Sequence, residues 1–316
     1  MTKVVITDTN LTNIANAIRT KGGTSELIKP SEMATAITNL PSGNNNNAFI
    51  DTSIGYNGGN GIRTIITGID NLDITGITNM GNFFTNCTKL TNFPQLDTSN
   101  VTNMNNMFNG CNTATTMPLY DTSSVTNMQS MFQNCINIKT IPLYNTSSAT
   151  NMNSLFYSCS SLETVPLLNT SSATDMGNMF NSCFKLVSCP LFDTNKVTNM
   201  AQMFRNCQAL QTAPALDTSK VTDMSYMFYG GTDLRNIPYY VATKCTNFSG
   251  MFSGVNKLTD ESLENVLKMC ISATSYTGTK TLYNMNFRKT QYPVAKWQAC
   301  PSYQDFLDAG WTIGYN

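Results

Sequence analysis

Apolar positions along the chain recur with a period of 24 residues. Met80, Met104, Met128, Met152, Met176, Met200 and Met224 form one column, Phe84 through Phe252 a second, and Pro94 through Pro238 a third, all in register. The shared unit reads L-D-T-S-x-V-T-N-M-x-x-M-F-x-x-C-x-x-L-x-x-Φ-P-Φ, with Φ apolar, and eight copies run from Leu72 to Ser262. A unit this short cannot bury an apolar face alone, so the copies must stack into a solenoid in which each rung covers its neighbour. At about 4.8 Å per rung, eight rungs give a rod on the order of 40 Å long.

Each unit divides into local elements. Met104, Met107, Phe108 and Cys111 follow the i, i+3, i+4, i+7 pattern, which predicts a short helical segment in every rung. Leu162-Glu163-Thr164-Val165-Pro166-Leu167-Leu168 reads as a short extended piece, with proline where a lost donor is tolerated. Asp-Thr-Ser at Asp97, Asp121 and Asp217, with Asn145 and Asn169 as substitutes, marks a corner. The column Asn79, Asn103, Asn127, Asn151 and Asn199 is expected to bond buried backbone between rungs. The predicted class is an α/β repeat solenoid.

The ends differ from the repeats. Residues 1–41 read as a small helical module: Asp8 or Asn10 can cap a helix carrying Leu11, Ile14 and Ile18, Gly22-Gly23 can stop it, and Met33, Ile37 and Leu40 share the face of a second. An Asn-rich linker follows at 42–48, then an N-terminal cap of the solenoid at 49–71, the repeats at 72–262, and a C-terminal cap at 263–316. An amphipathic helix from Asp260 to Met269, with Leu263, Val266, Leu267 and Cys270 on one face, is positioned to cover the last rung.

Composition narrows the function. Only 12% of the residues are charged, with 19 basic against 19 acidic and no histidine. That balance argues against a nucleic-acid partner. Without histidine, Ser-His-Asp and Cys-His nucleophile pairs and His-ligated zinc are excluded. The first residues lack the apolar run and small-residue cleavage site of a signal peptide, and no stretch is apolar enough for membrane insertion.

Several residue sets invite chemistry. Cys87, Cys111, Cys135, Cys159, Cys183 and Cys207 share one column that continues as Gly231 and Val255, so they read as free thiols in a small apolar slot. Cys183 and Cys189, near Cys159 or Cys207, are the alternative as a zinc site. The aspartate column reads as turn capping in preference to calcium binding, since asparagines interrupt it. Glu163 and Asp175 are the candidate carboxylate pair for glycoside hydrolysis. Thirteen of the 18 methionines lie in two core columns and read as packing. Two columns vary from copy to copy and are expected to face outward. Tyr157, Arg205 and Tyr229 in one, with Glu163, Gln211 and Arg235 in the other, form a candidate ligand-binding stripe; unselected drift is the competing explanation. No catalytic residue, metal ligand or cofactor is assigned, and the chain is expected not to be an enzyme.

The unit LDTSNVTNMNNMFNGCNTATTMP at 96–118 resembles the BspA-like, surface-protein class of leucine-rich repeat. That resemblance implies a leucine-rich-repeat-like rod used as a binding scaffold, as in bacterial adhesins and proteins of phages that infect Gram-positive bacteria. The segment ITDTNLTNIANAIRTKGGTSELIKPSEMATAITNL resembles the start of many phage tail, baseplate and minor structural proteins. Together these imply a virion component assembled in the host cytoplasm. Residues 1–41 would contact other virion proteins, and the rod would recognise a host cell-surface glycan or protein. An architectural or head-decoration virion protein and a bacterial surface adhesin are the alternatives. The adhesin is disfavoured by the lack of an export signal or LPXTG-like anchor. A homo-oligomer is compatible with an elongated adhesin, but no heptad segment would enforce it.

Overall fold

In a computed structural model of the chain, residue 74 and residues 76–315 are described. The expected helical module at 1–41, the linker at 42–48 and the cap at 49–71 lie outside the described residues.

From Ile77 on, the chain winds through stacked rungs in parallel register. Asn79 bridges to Asn103, Asn103 to Asn127, and so on through Asn151, Asp175, Asn199 and Asp223 to Asn247. The contacts are single-residue bridges, so the extended pieces do not lengthen into strands. Proline in seven of the eight units, and the corner that follows, interrupt the pairing.

The expected helical segment is a different structure. Between Met104 and Cys111 the chain makes consecutive tight turns, Met107 N–H to Met104 O (3.2 Å), Asn109 to Asn106 (3.0 Å) and Cys111 to Phe108 (3.0 Å). The intervening N–H groups cross to the next rung: Met104 to Asn127 O (3.0 Å), Asn106 to Gln129 O (2.9 Å), Phe108 to Met131 O (2.9 Å) and Gly110 to Gln133 O (2.8 Å). Alternate donors thus close turns and stitch rungs, and the segment's backbone is satisfied with neither helix nor sheet. The cause is local. Asn106 and Gly110 have positive φ, and the same two positions do so in other rungs (Ser130 and Asn134, Ser154 and Ser158, Asn178 and Ser182). Residues that tolerate the left-handed region at the third turn position select this path. The α/β class is therefore corrected for the repeats. Among the described residues, α-helix is confined to the C-terminal end: α1 (Asp260–Ser272), α2 (Val294–Gln298) and α3 (Tyr303–Asp308), with a 3-10 turn at Leu282–Met285.

The fixed apolar columns fill the interior. Phe84, Phe108, Phe132, Phe156, Phe180, Phe204, Phe228 and Phe252 form one continuous stack, with centroids 5.5–5.9 Å apart and planes within 14°. A second aromatic layer rests on it at Tyr120, Tyr144, Phe192 and Tyr240. The three tyrosine hydroxyls donate to the carbonyls of Pro94, Pro118 and Pro214 in the preceding rung (2.6–2.8 Å), which is how a buried phenol is accommodated.

Cross-rung bonding falls to threonine more than to asparagine, and the expected role of the Asn column is corrected accordingly. The side chains of Asn79, Asn103, Asn127, Asn151 and Asn199 accept from the N–H two residues on in their own rung (2.9–3.1 Å). Side-chain bonds from this column to the rung before run to its aspartates, from Asn199 to Asp175 (3.0 Å) and from Asn247 to Asp223 (3.1 Å). The ladder between rungs is built by the buried threonines of the Asp-Thr-Ser corner. Thr98, Thr122, Thr146, Thr170, Thr194 and Thr218 each donate to a carbonyl of the next rung at 2.7–2.8 Å. The first residue of the corner behaves as expected: Asp97, Asp121, Asn145, Asn169 and Asp217 each accept from the N–H of the serine two residues on.

The C-terminal helices close the stack. Thr259 caps α1 by accepting from Ser262 N–H, and Asp260 and Glu261 stand in the first turn, where the helix dipole favours acids. Leu263, Val266, Leu267, Met269 and Cys270 are buried beneath it. Ser262 Oγ accepts from Ile237 N–H and donates to Arg235 O, and Ser272 Oγ accepts from Ala242 N–H. Phe287 caps the aromatic stack on Phe252 at 5.1 Å. Among the described residues, no helix is long and apolar enough to cross a membrane.

Candidate functional site

The two variable columns occupy different segments of the rung. Glu163, Gln211 and Arg235 lie on the extended segment and are exposed. Backbone bonds run from Glu163 N–H to Lys139 O and from Arg235 N–H to Gln211 O (both 2.9 Å), so successive side chains project from one ladder. Glu163 pairs with Lys139 at 3.8 Å, but both are well exposed and the pair is worth little.

The column of Tyr157, Arg205 and Tyr229 belongs to the turn segment. It does not face outward as expected: Thr85 and Asn181 in it are buried, and Tyr157, Arg205 and Tyr229 are half-buried. Its members are tied to neighbouring turns, as when Asn181 donates to Asn178 Oδ1 (2.9 Å) and Asn109 accepts from Asn134 Nδ2 (3.2 Å). The buried cysteine and leucine columns separate the two sets, so the six residues do not form one stripe.

Three of the turn-side residues do form a cluster. The Arg205 guanidinium lies 4.9 Å from the Tyr229 ring centroid and 5.9 Å from that of Tyr226, and the two rings meet edge to face at 6.0 Å. Its Nη1 donates to Gln202 Oε1 at 2.7 Å, while its Nε is buried without a hydrogen-bond partner. A planar cation is thereby held over aromatic rings by a fixed amide, with less rotamer freedom left to lose on binding. Tyr226 has positive φ, and beneath it Gly250 leaves room for the ring: a Cβ there would sit 2.5 Å from the Tyr226 ring, which would have to shift. Tyr157 stands two rungs away, with Asn181 between.

Gln202 and Tyr226 escaped the sequence reading. Their signal was present, because both occupy a column that elsewhere holds Asn, Ser or Gly, where a large side chain is out of place. A second feature also escaped it. Leu119, Leu143, Leu167 and Leu191, one residue per rung of the extended piece, are 63–64% exposed, a direction that the Φ-P-Φ-Φ pattern does not reveal.

The remaining candidates resolve as packing or capping. The column cysteines are buried. Those from Cys111 to Cys207 each donate Sγ–H to the phenylalanine carbonyl of the preceding rung (3.0–3.2 Å), so the slot takes a weak donor as well as a small apolar group. Burial holds the thiols of Cys135, Cys159, Cys183 and Cys207 well above the usual range. Asp97, Asp121 and Asp217 are held below the usual carboxylate range by bonds from their own serines. Asp175 is engaged by Gly177 N–H, Asn153 and Asn199, and lies at the parallel bridge that precedes the turn segment, while Glu163 lies on the extended segment. Among the described residues, no group of three or more Cys, Asp or Glu side chains is placed to hold a metal ion.

A family model described as Mycoplasma protein of unknown function, DUF285, matches at residues 59–165, 112–213 and 174–289. These spans cover well over half of the chain. The chain belongs to the DUF285 family. The repeats of this DUF285 chain are also similar to solved leucine-rich-repeat proteins. The one from T. pallidum is 18% identical, covering 64% of this chain and 82% of that one with a TM-score of 0.37. Those from Bacteroides ovatus and Eubacterium ventriosum are 16% and 13% identical, covering 60% and 62% of this chain and 77% and 79% of theirs, with TM-scores of 0.26 and 0.27. No curated protein matches the chain. The expected phage origin rests on the sequence resemblances of the repeats and the N-terminal segment alone.

Proposed function

We propose that the chain is a non-enzymatic recognition scaffold displayed at a surface, which contacts its ligand through the turn-side wall around Arg205, Tyr226 and Tyr229. The observation that carries this reading is a preassembled guanidinium–tyrosine cluster on a backbone that is otherwise uniform from rung to rung. A cation held over aromatic rings, with amide and hydroxyl groups beside it, suits a glycan or a polar protein surface. In the fuller reading, residues 1–41 attach the rod to a phage virion and the ligand is a host cell-surface glycan or protein; the N-terminal resemblance supports it. The family match, described from Mycoplasma, favours a second reading as a bacterial surface adhesin with the same contact wall.

The test is binding of the purified full chain to intact Gram-positive cells, scored by sedimentation and by competition with phage adsorption. The expected result is saturable binding that falls sharply in Arg205→Ala and Tyr229→Ala. Undiminished binding in both variants refutes the cluster as the contact. Absence of binding, even after the chain is multimerised, refutes recognition.

A further inference from the structure

Across the turn segments of the eight rungs, from Met80–Cys87 to Phe248–Val255, Arg205 is the one charged residue. Every other lysine and arginine of the described rungs is exposed, whereas Arg205 is half-buried. No carboxylate of the described residues forms an ion pair with it. Its Nη1 donates to Gln202 Oε1, and its Nε is buried without an acceptor. Gln202 leaves the charge unmatched, since its oxygen is an amide's and also accepts from Asn181 Nδ2 at 3.4 Å. A half-buried cation that serves only the fold is normally paired, because its desolvation is otherwise uncompensated. A second local rule is broken beside it. Tyr226, at φ 54°, is the one aromatic residue with positive φ among the described residues, in a column that elsewhere holds Asn, Ser, Gln or Gly. Two such departures at one spot of an otherwise regular wall mark it as serving something other than folding.

We propose that the cluster binds an acidic saccharide of the uronate type, with the sugar carboxylate on Arg205 and the sugar ring against Tyr226 and Tyr229. The inference rests on the reading of this wall as the contact surface and names the chemistry that the wall selects. The missing counter-charge defines the ligand first: the ligand supplies the anion that the fold withholds. A lone guanidinium matches a single negative charge, and a carboxylate offers two coplanar oxygens to its planar donors. A phosphate monoester, carrying close to two charges, would leave one of them unmet on a wall with no other cation. The rings define the rest. Tyr226 is 40% exposed and Tyr229 half-buried, so each presents an apolar face to the C–H side of a pyranose and a hydroxyl to its oxygens. Around them the turn segments offer amides and hydroxyls, at Asn178, Ser182 and Asn206, which suit sugar hydroxyls and add no competing charge.

The experiment uses the full chain and Gram-positive cells stripped of surface protein by protease. Half of the cells are then amidated with carbodiimide and ethanolamine, which converts carboxylates to neutral amides and spares phosphodiesters. Amidation should weaken binding by about tenfold or more, the loss expected of a charge-assisted hydrogen bond. Arg205→Gln should bind both preparations weakly and equally, whereas Arg205→Lys, which keeps the charge and loses the planar fork, should bind less tightly than the parent and still prefer the cells that were not amidated. Circular dichroism matching the parent's shows that the variants fold, and the lysine variant carries the test if the glutamine one does not. Binding that amidation leaves unchanged, yet that still falls in Tyr229→Ala, overturns the carboxylate and leaves the recognition wall standing, with a neutral or phosphodiester ligand. Binding that protease treatment removes overturns the saccharide in favour of an acidic protein. Sensitivity to amidation that persists in Arg205→Gln puts the anion elsewhere on the chain and also overturns the proposal. A chain that binds no cells before any treatment overturns both this inference and the reading beneath it.

Discussion

Phe156 lies mid-stack, between Phe132 at 5.6 Å and Phe180 at 5.5 Å, with no exposed surface. Its truncation to alanine removes both ring pairs at once. Each stacked pair is worth about 0.5–1.5 kcal/mol beyond its area, and burial of the side chain contributes about 1.5–3 kcal/mol. The sum brackets the roughly 3–5 kcal/mol usual for Phe→Ala in a packed core. Phe156→Leu keeps most of the burial and loses the ring pairs, so its cost should be about 1–3 kcal/mol. Urea unfolding under reducing conditions gives the totals. Hydrogen exchange then locates them: in a one-dimensional stack each rung contacts only its neighbours, so lost protection should centre on the rungs of Phe132, Phe156 and Phe180 and spare α1. A cost below about 1 kcal/mol for Phe156→Ala, well short of the usual range, or loss of protection spread evenly to α1, would refute the argument that the phenylalanine column holds neighbouring rungs together.

Gly110→Ala should destabilise by about 1–2 kcal/mol from the left-handed backbone alone and by more from contact with Asn86 Oδ1, 2.3 Å from the new Cβ; thermal unfolding beside Gly76→Ala, where nothing lies within 4 Å, separates the two costs. Thr146→Val keeps the shape but removes the bond to Asn169 O (2.8 Å) at a buried site, and should cost about 1–3 kcal/mol by urea denaturation; no measurable change would show that the threonine ladder only fills space. Buried thiols keep their protons in the folded chain to higher pH than in the unfolded one. The folded state thus binds more protons above the unfolded thiol value of about 8.5, and stability should be full below that pH and fall as pH rises past it. Unfolding midpoints that stay flat from pH 8 to 10 would contradict that burial, as would rapid labelling of Cys159 by iodoacetamide in the native chain.

How far the sequence could be read depended on whether a residue's role was set by its own rung. The 24-residue register, the core columns, the Asp-Thr-Ser corner and the closing helix at Asp260 were legible, because each follows from periodicity or from a side chain bonding its own backbone. The turn segment was misread because four-residue turns return Met104, Phe108 and Cys111 to one side, as a helix would. The discriminating signal lay in the polar positions between them: Asn, Ser and Gly recurring at 106 and 110 and their equivalents are poor mid-helix residues but suit positive φ. Cross-rung partners were not legible. Threonine and asparagine are both plausible ladder residues, and only the three-dimensional register shows that Thr146 reaches the next rung while Asn151 folds back on its own. The outward position of Leu119 was hidden because the buried residues of the extended piece, Met117 and Tyr120, are three apart and not two.

The half-buried placement of the turn-side column changes how variation there should be understood. A fully exposed column can drift residue by residue, because each side chain meets water. In this column a side chain is packed against the turn before it and the rung after it, so a change at one position alters the fit at others. Arg205 needs Gln202 for its Nη1 and Tyr229 for its face, Tyr226 completes the cluster, and the Tyr226 ring takes its place over Gly250, where a Cβ would displace it. Replacing Arg205 alone removes the shorter of two bonds to the Gln202 amide oxygen, leaving the one from Asn181 Nδ2 (3.4 Å), and uncovers two rings, whereas on the extended segment Gln211 can change without altering the core. Non-additivity follows: Arg205→Ala and Tyr229→Ala should be coupled in stability, while Arg205→Ala and Gln211→Ala, which share no partner, should add.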